Sequence, residues 1–264
     1  MSKGYLVFAQ AGYIEMAELL ARSIKRTQSS VNNISIVTDQ PCDIELFEHV
    51  IALPTNDYAL TAEWKIHNRA QSYKLTPYTE TVMLDADMIF LDDVSHWWDH
   101  FFKFPMLITD KVKTYRNEWI AHSPYRTTFK ANQLDDCYSA FCYFKKDPFT
   151  EHFFSLLETI ICNWDAWTIR YAPEHRQRIP SIDLAMAMAV KILDCKDQVF
   201  TPLDFPTFTH MKSGCQGWSF YSEVWTNHVD CKITNNGLRL GNHRQSGILH
   251  YVDKKISNEL MPLF

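Results

Sequence analysis

The chain of 264 residues predicts an α/β protein built on a mostly parallel central sheet. Three observations predict it. Short apolar runs recur at 5–10, 34–39, 50–53, 81–84 and 106–109. A helix-period pattern separates the first two, and an aspartate, Asp39 or Asp85, closes two of the runs at their carboxyl ends. Ligands of open parallel sheets bind beyond those ends.

"YLVFAQ" (5–10) has the continuous apolar character of a strand buried on both faces. Ile14, Ala17, Leu20, Ala21 and Ile24 then fall on one side of a helix. "ISIVTD" (34–39) and "VIAL" (50–53) read as the second and third strands, and 61–75 as a helix that stops before Pro77. "TVML" (81–84) and "MLIT" (106–109) are the fourth and fifth strands. Beyond them, "YSAFCYF" (138–144) predicts a strand, 148–163 and 181–193 predict helices, and "GILHYV" (247–252) predicts a late strand. Residues 200–246, rich in Pro and Gly, are expected to be mainly loop. No repeat or composition break marks a linker, so a single domain over 1–264 is expected, with halves 1–110 and 111–264.

Hydrophobic residues make up 46 % and charged residues 22 %, which fits an ordered core and excludes a low-complexity chain. A net charge of −5 gives no general reason for a polyanionic partner. The seven cysteines form no C-x-x-C pair, which favours reduced thiols in a cytosol-like compartment. The N-terminus has no apolar signal region, and no run reaches the about 18 residues of a membrane span. A soluble, cytoplasmic protein is the expectation.

"LDAD" (84–87) interrupts the fourth strand with two carboxylates. A lone D-x-D is near chance level. Buried without partners, such acids would be strongly penalised, so the strand must break into a turn at Asp85. There the acids can be solvated, cap the next helix, or act as hard oxygen ligands for Mg²⁺ or Mn²⁺ holding a diphosphate. A D-x-D-x-T phosphotransferase is excluded, because Ile89 stands where Thr is required.

The segment "RAQSYKLTPYTETVMLDADMIFLDDVSHWWD" (69–99) resembles the donor-site region of glycogenin-like retaining glycosyltransferases, which have the GT-A fold. Arg69, Tyr73, Leu75, Thr76, Tyr78 and Asp85-Ala86-Asp87 match its register, "AQAGY" (9–13) resembles the family's first strand-to-helix loop, and "VTD" (37–39) matches the end of the second strand. The resemblance covers about the first hundred residues. It implies a GT-A fold with a Rossmann-like, mostly parallel sheet and an irregular acceptor-side half. It implies a nucleotide-sugar donor, commonly a UDP-sugar, held by Gln10, Tyr13, Asp39, Arg69, Asp85 and Lys254. Arg69 replaces the usual Lys near the donor phosphate or sugar, which keeps the charge but alters the geometry.

Farther along, "CYSAFCYFKK" (137–146) occupies the place of the family's F-N-[SA]-G, with Tyr138 and Ala140 replacing Asn and Gly. In "PSIDLAMAMAVKIL" (180–193), Asp183 is the candidate sugar-binding and catalytic residue, with Arg69; the alternative for Asp183 is an N-cap of the helix. "GILHYVDKK" (247–255) resembles the late H-x-x-G-x-x-K segment, with His250 as third metal ligand beside Asp85 and Asp87. Asp253 replaces the Gly there, and Lys254 and Lys255 come early. An imidazole beside two carboxylates favours Mn²⁺ over Mg²⁺. The resemblance implies retention, and leaves open a nucleophile, Asp183, or a same-face mechanism.

It does not set the acceptor. "KVKTYRNEWIAHSPYRTTFK" (111–130) and "WTIRYAPEHRQR" (167–178) interleave bases with aromatics. Lys113, Arg116, Arg126 and Arg176 are the candidates for a phosphate-tracking groove on DNA, the acceptor class of phage-type DNA glycosyltransferases, which work in the host cytoplasm. A carbohydrate or protein acceptor is the alternative, as is a non-catalytic module of the same fold that binds nucleotide, sugar or nucleic acid.

Overall fold

The computed structural model describes residues 2–54, 65–121, 123, 126–174, 180–218, 224–234 and 237–264. The first apolar run becomes β1 (Lys3–Phe8), followed by α1 (Ile14–Thr27), β2 (Ile34–Thr38) and β3 (His49–Ala52). A 3₁₀ turn over Lys65–Gln71 leads into α2 (Ser72–Leu75), β4 (Glu80–Leu84) and β5 (Met88–Phe90). Then come α3 (Trp98–Phe101), β6 (Met106–Thr109), α4 (Thr127–Ala131) and β7 (Tyr138–Lys145). The helices α5 (Pro148–Cys162), α6 (Trp164–Tyr171), α7 (Ile182–Leu193) and α8 (Lys196–Val199) follow. The chain ends with β8 (Thr209–His210), β9 (Cys231–Thr234), β10 (Gly237–Leu240), β11 (His243–Arg244), β12 (Ile248–His250) and α9 (Ser257–Leu260).

The main sheet has the order β3-β2-β1-β4-β7-β6. β3, β2, β1 and β4 pair in parallel, and β7 is antiparallel to both its neighbours, so it alone runs against the rest. The strands alternate between two apolar layers, as the period of two requires. Tyr5, Val7, Phe141 and Tyr143 pack on the side of α1, while Met83, Cys142 and Phe144 pack against α5 and α7. β1 and β4 are neighbours near the centre, and their carboxyl ends open on one edge.

Two short motifs hold that edge. The Tyr78 ring lies directly on Gly4, so closely that a Cβ there would stand 2.4 Å from the ring. The Tyr78 hydroxyl pairs with Ser35 Oγ at 2.7 Å and donates to Glu48 Oε2 at 2.9 Å. Thr76 Oγ1 bonds Thr81 Oγ1 at 2.7 Å. "LTPY" is therefore a clamp between β1, β2 and β4. Gly4→Ala is expected to destabilise the protein by about 1–3 kcal/mol through overpacking, read as a lower urea midpoint with an unchanged slope.

The structure adds elements that periodicity missed. The expected helix 61–75 is described from Lys65, where it starts as a 3₁₀ turn; 61–64 lie outside the described residues. Within the expected loop of 200–246, β9, β10 and β11 form a separate three-stranded antiparallel sheet. Its strands have two to four residues, and most of β9 is exposed, so no apolar run betrays them. A third small sheet, β5-β12-β8, stands beyond the end of β4. Among the described residues no helix is long and apolar enough to cross a membrane.

Candidate metal centre

β4 is buried along its length and ends at Leu84. The Asp85 amide still donates to Ala140 O at 3.0 Å, and a turn then swings the chain out of the main sheet into β5. β5 pairs antiparallel with β12, in a register that sets His250 opposite Met88 and so beside Asp87. Tyr251 N donates to Asp87 O at 3.0 Å, locking this alignment. Strand pairing thus brings together residues 163 positions apart.

One ligand atom from each of Asp85, Asp87 and His250 falls within 4.8 Å of the others. His250 Nε2 is 3.0 Å from Asp87 Oδ1 and 3.8 Å from Asp85 Oδ2. The Asp85 and Asp87 side chains are 25 % and 17 % exposed, so these are not freely solvated loop acids. Arg69, itself buried, pairs one guanidinium nitrogen with Asp85 Oδ1 and donates from the other to Ser139 O at 2.6 Å.

Burial and charge act differently on the three groups. Burial raises the Asp85 pKa above the usual carboxylate value, despite opposition from Arg69 and His250. Burial also pushes Asp87 upward, but the charge and hydrogen bond of His250 outweigh it and leave Asp87 below its usual value. Burial would lower His250, yet Asp87 outweighs that and raises it. Asp87 and His250 thus favour each other's charged forms, whereas burial disfavours the charge on Asp85 despite the Arg69 guanidinium. Two hard oxygens and a ring nitrogen converging on one point fit a divalent ion.

A cavity of about 300 Å³ opens over this cluster. The end of β1 and the loop after it contribute Ala9, Gln10 and Tyr13. Gly12 has φ +82°, a value that suits glycine, and it lets the loop turn before α1. Arg69, Asp85, Asp87 and His250 line the floor, Lys212 and Lys254 supply the cationic side, and His210 lines the wall beside them. Lys254 Nζ stands 3.6 Å from the centroid of the Tyr13 ring. Val252, also lining the cavity, has φ +62°, a strained value for a β-branched residue.

The other residues singled out in the sequence are placed as follows. Asp39 is exposed past the end of β2, where it accepts from Gln40 Nε2 at 3.0 Å, and it does not line the cavity. Asp183 does not line it either. The cap of α7 is Ser181, not Asp183. The Asp183 carboxylate accepts from Ser139 N at 2.8 Å, Ser139 Oγ at 2.5 Å and Arg126 Nη2 at 3.2 Å. Ser139 therefore connects Asp183 to Arg69, and Arg69 to Asp85.

Arg126, expected on a basic face, is a correction: it is 5 % exposed and turned inward. It donates to Cys137 O at 2.5 Å and lies 3.5 Å over the Tyr138 ring. The carboxylate of Asp183 and this aromatic face account for its burial. Lys113 is half-buried over Trp119 at 4.7 Å, Arg116 is exposed beside Tyr115, and Arg176 lies outside the described residues. Asp253 is buried, where it accepts from Thr226 Oγ1 at 2.6 Å and Lys255 N at 3.1 Å. Ala140 is buried in β7.

His210 and Lys212 were not legible as site residues. They sit in "THMK" (209–212), a two-residue strand and its exit, too short to carry a periodic apolar signal. Burial holds the His210 pKa well below its usual value.

No known protein family and no characterised protein sequence matches the chain. Solved structures do. Mouse xyloside xylosyltransferase 1, in its apo form, superposes with a TM-score of 0.54 at 12 % identity, over 95 % of this chain and 97 % of that one. The galactosyltransferase LgtC, in complex with donor and acceptor sugar analogues, gives 0.46 at 9 % identity over 71 % and 70 %. The bifunctional glycosyltransferase WbbM gives 0.47 at 13 % identity over 80 % and 40 %. The mixed α/β chain with its mostly parallel central sheet has the GT-A glycosyltransferase fold, and its Asp85–Asp87–His250 cluster is a candidate metal site beyond the end of a central strand.

Proposed function

We propose that the protein transfers a sugar from a nucleotide diphosphate sugar, a UDP-sugar, to an acceptor hydroxyl, with a divalent ion, Mn²⁺ in preference to Mg²⁺. The observation that carries this reading is convergence. Asp85, Asp87 and His250 share one cavity with Gln10, Tyr13, Lys212 and Lys254. Residues 1–110 supply the base-side and carboxylate groups, and 111–264 close the site with the imidazoles and lysines.

The ion, when bound, neutralises charge that develops on the departing nucleotide. Lys212 and Lys254 add positive charge on the same side, where a diphosphate fits. The Tyr13 ring offers a face for the base, with Lys254 moving from it to the phosphates. Arg69 lies against Asp85 on the floor of the cavity, where it orients that carboxylate. Asp183, already accepting three hydrogen bonds, anchors β7 below the sugar side. Among the described residues the carboxylates that line the cavity are Asp85 and Asp87, both assigned here to the ion, and retention by a same-face route is part of this proposal.

The test is release of UDP from a panel of UDP-sugars with Mn²⁺, with and without EDTA. Consumption of at least one donor, abolished by the chelator, is expected. Donor binding without turnover by the wild-type protein under every acceptor condition would instead identify a binding module.

A second hollow bears on the acceptor. Trp97, Lys113, Tyr115 and Arg244 line it, together with Thr209 of β8, while the next residue of that strand, His210, lines the donor cavity. Arg116 stands exposed over the Tyr115 ring. Cations alternating with rings support DNA as the acceptor, ahead of a carbohydrate or protein hydroxyl. Arg116→Ala with Arg244→Ala is expected to weaken salt-sensitive duplex binding at least about tenfold. Absence of wild-type binding at low salt removes the DNA reading.

A further inference from the structure

Two buried imidazoles face each other at the edge of the donor cavity. β8 pairs parallel with β12 so that His210 and His250 are register partners. Their Nδ1 atoms are 3.1 Å apart and their ring centroids 4.8 Å apart. Each residue is 7 % exposed. Phe208 packs edge-on against both, at 5.8 Å from His210 and 5.6 Å from His250, and Tyr138 covers His210 from 5.7 Å. The backbone is tied as closely: His210 N donates to Lys113 O at 2.8 Å, and Met211 N donates to His250 O at 2.9 Å. Gln216 Nε2 donates to His210 O at 2.5 Å.

A hydrogen bond between two Nδ1 atoms needs one proton and one lone pair. The nitrogen of His250 that faces Asp87 is Nε2. An imidazole that binds an ion through Nε2 gives up its Nε2 proton and, when neutral, carries its proton on Nδ1. In this cluster the acceptor for that proton is His210 Nδ1. His210 then bears its own proton on Nε2, leaving an N–H donor on a residue that borders the cavity.

We propose that His210 is the positioning residue that fixes His250 as an Nε2 metal ligand, by accepting its Nδ1 proton across the β8–β12 pair. The inference rests on the metal-site reading of Asp85, Asp87 and His250. Partners of this kind hold a ligating ring in one tautomer and one orientation, and their loss typically weakens metal binding 10–100-fold.

Affinity for Mn²⁺ alone, followed by the electron paramagnetic resonance of the free ion, tests it in wild type, His210→Leu, His210→Asn and Asp87→Asn. The oxygen of an asparagine can occupy the place of Nδ1 and accept, whereas leucine fills the space without accepting. His210→Leu is expected to weaken binding about 10–100-fold, and His210→Asn to restore it to within about threefold of wild type. Equal binding by His210→Leu and wild type overturns the inference, as does equal weakening by both substitutions in proteins with matched thermal midpoints. If Asp87→Asn loses the ion while His210→Leu keeps it, the metal site stands and only the role of His210 falls. If wild type and Asp87→Asn bind Mn²⁺ equally poorly, both readings fall. Should His210→Leu not fold, histidine nitrogen-15 spectra of wild type with Cd²⁺ decide the matter. A protonated Nδ1 on His250 and an unprotonated Nδ1 on His210 support the inference, and the reverse pattern overturns it.

Discussion

Replacing Asp87 with asparagine is expected to lower metal-dependent consumption of the donor by about 10³-fold, with little change in thermal stability. The substitution keeps the shape of the side chain and its hydrogen bonding to His250 Nε2, at 3.0 Å in the native protein. It removes the negative charge that the ion would meet. Loss of several kcal/mol of transition-state stabilisation follows, because the charge on the departing diphosphate then develops without its counterion. The measurement is kcat/KM against Mn²⁺ concentration. Near wild-type turnover would sink the assignment of Asp87 as a ligand.

The second large effect concerns folding. Arg69→Ala is expected to cost about 3–5 kcal/mol, read from urea unfolding, because it strands the Asp85 carboxylate in a partly buried setting. Arg69 is 2 % exposed and also satisfies Ser139 O at 2.6 Å, so alanine orphans a backbone acceptor too. Lysine keeps the charge but lacks the planar fork that reaches both partners, and an intermediate loss is expected. Arg69→Ala combined with Asp85→Ala should cost clearly less than the sum of the two single changes, since neither charge is then left alone. Strict additivity would show that the ion pair does not hold the floor of the site.

The parts of the fold written in local pattern were readable in advance. β1, β2 and β4 are continuous apolar runs because both faces of the central sheet are covered, and α1 shows its buried face at helical spacing. Asp85 and Asp87 stood out because carboxylates at the end of such a run need a reason. Tyr78 was legible as part of a motif, but its work is to clamp Gly4 and Ser35, a role that only packing displays.

What escaped depends on pairing between distant segments. Nothing near His210 points to His250, 40 residues later; the β8–β12 register alone makes them partners. Arg126 reads in sequence as one base among several, and it turns inward because Asp183 and Tyr138 offer it a carboxylate and a ring. Asp183 read equally well as a helix cap, until Ser181 took that position and left the acid to bind Ser139. Charge and aromatic content can be counted along a chain, whereas the direction in which each side chain points is decided by the fold.

Calorimetric titration of UDP into the protein, with and without Mn²⁺, tests the metal–diphosphate site formed by Asp85, Asp87 and His250. Binding is expected to depend on the ion, and to be lost on chelation and in Asp87→Asn. UDP binding of equal strength with and without a divalent ion, unchanged by Asp87→Asn, would contradict it.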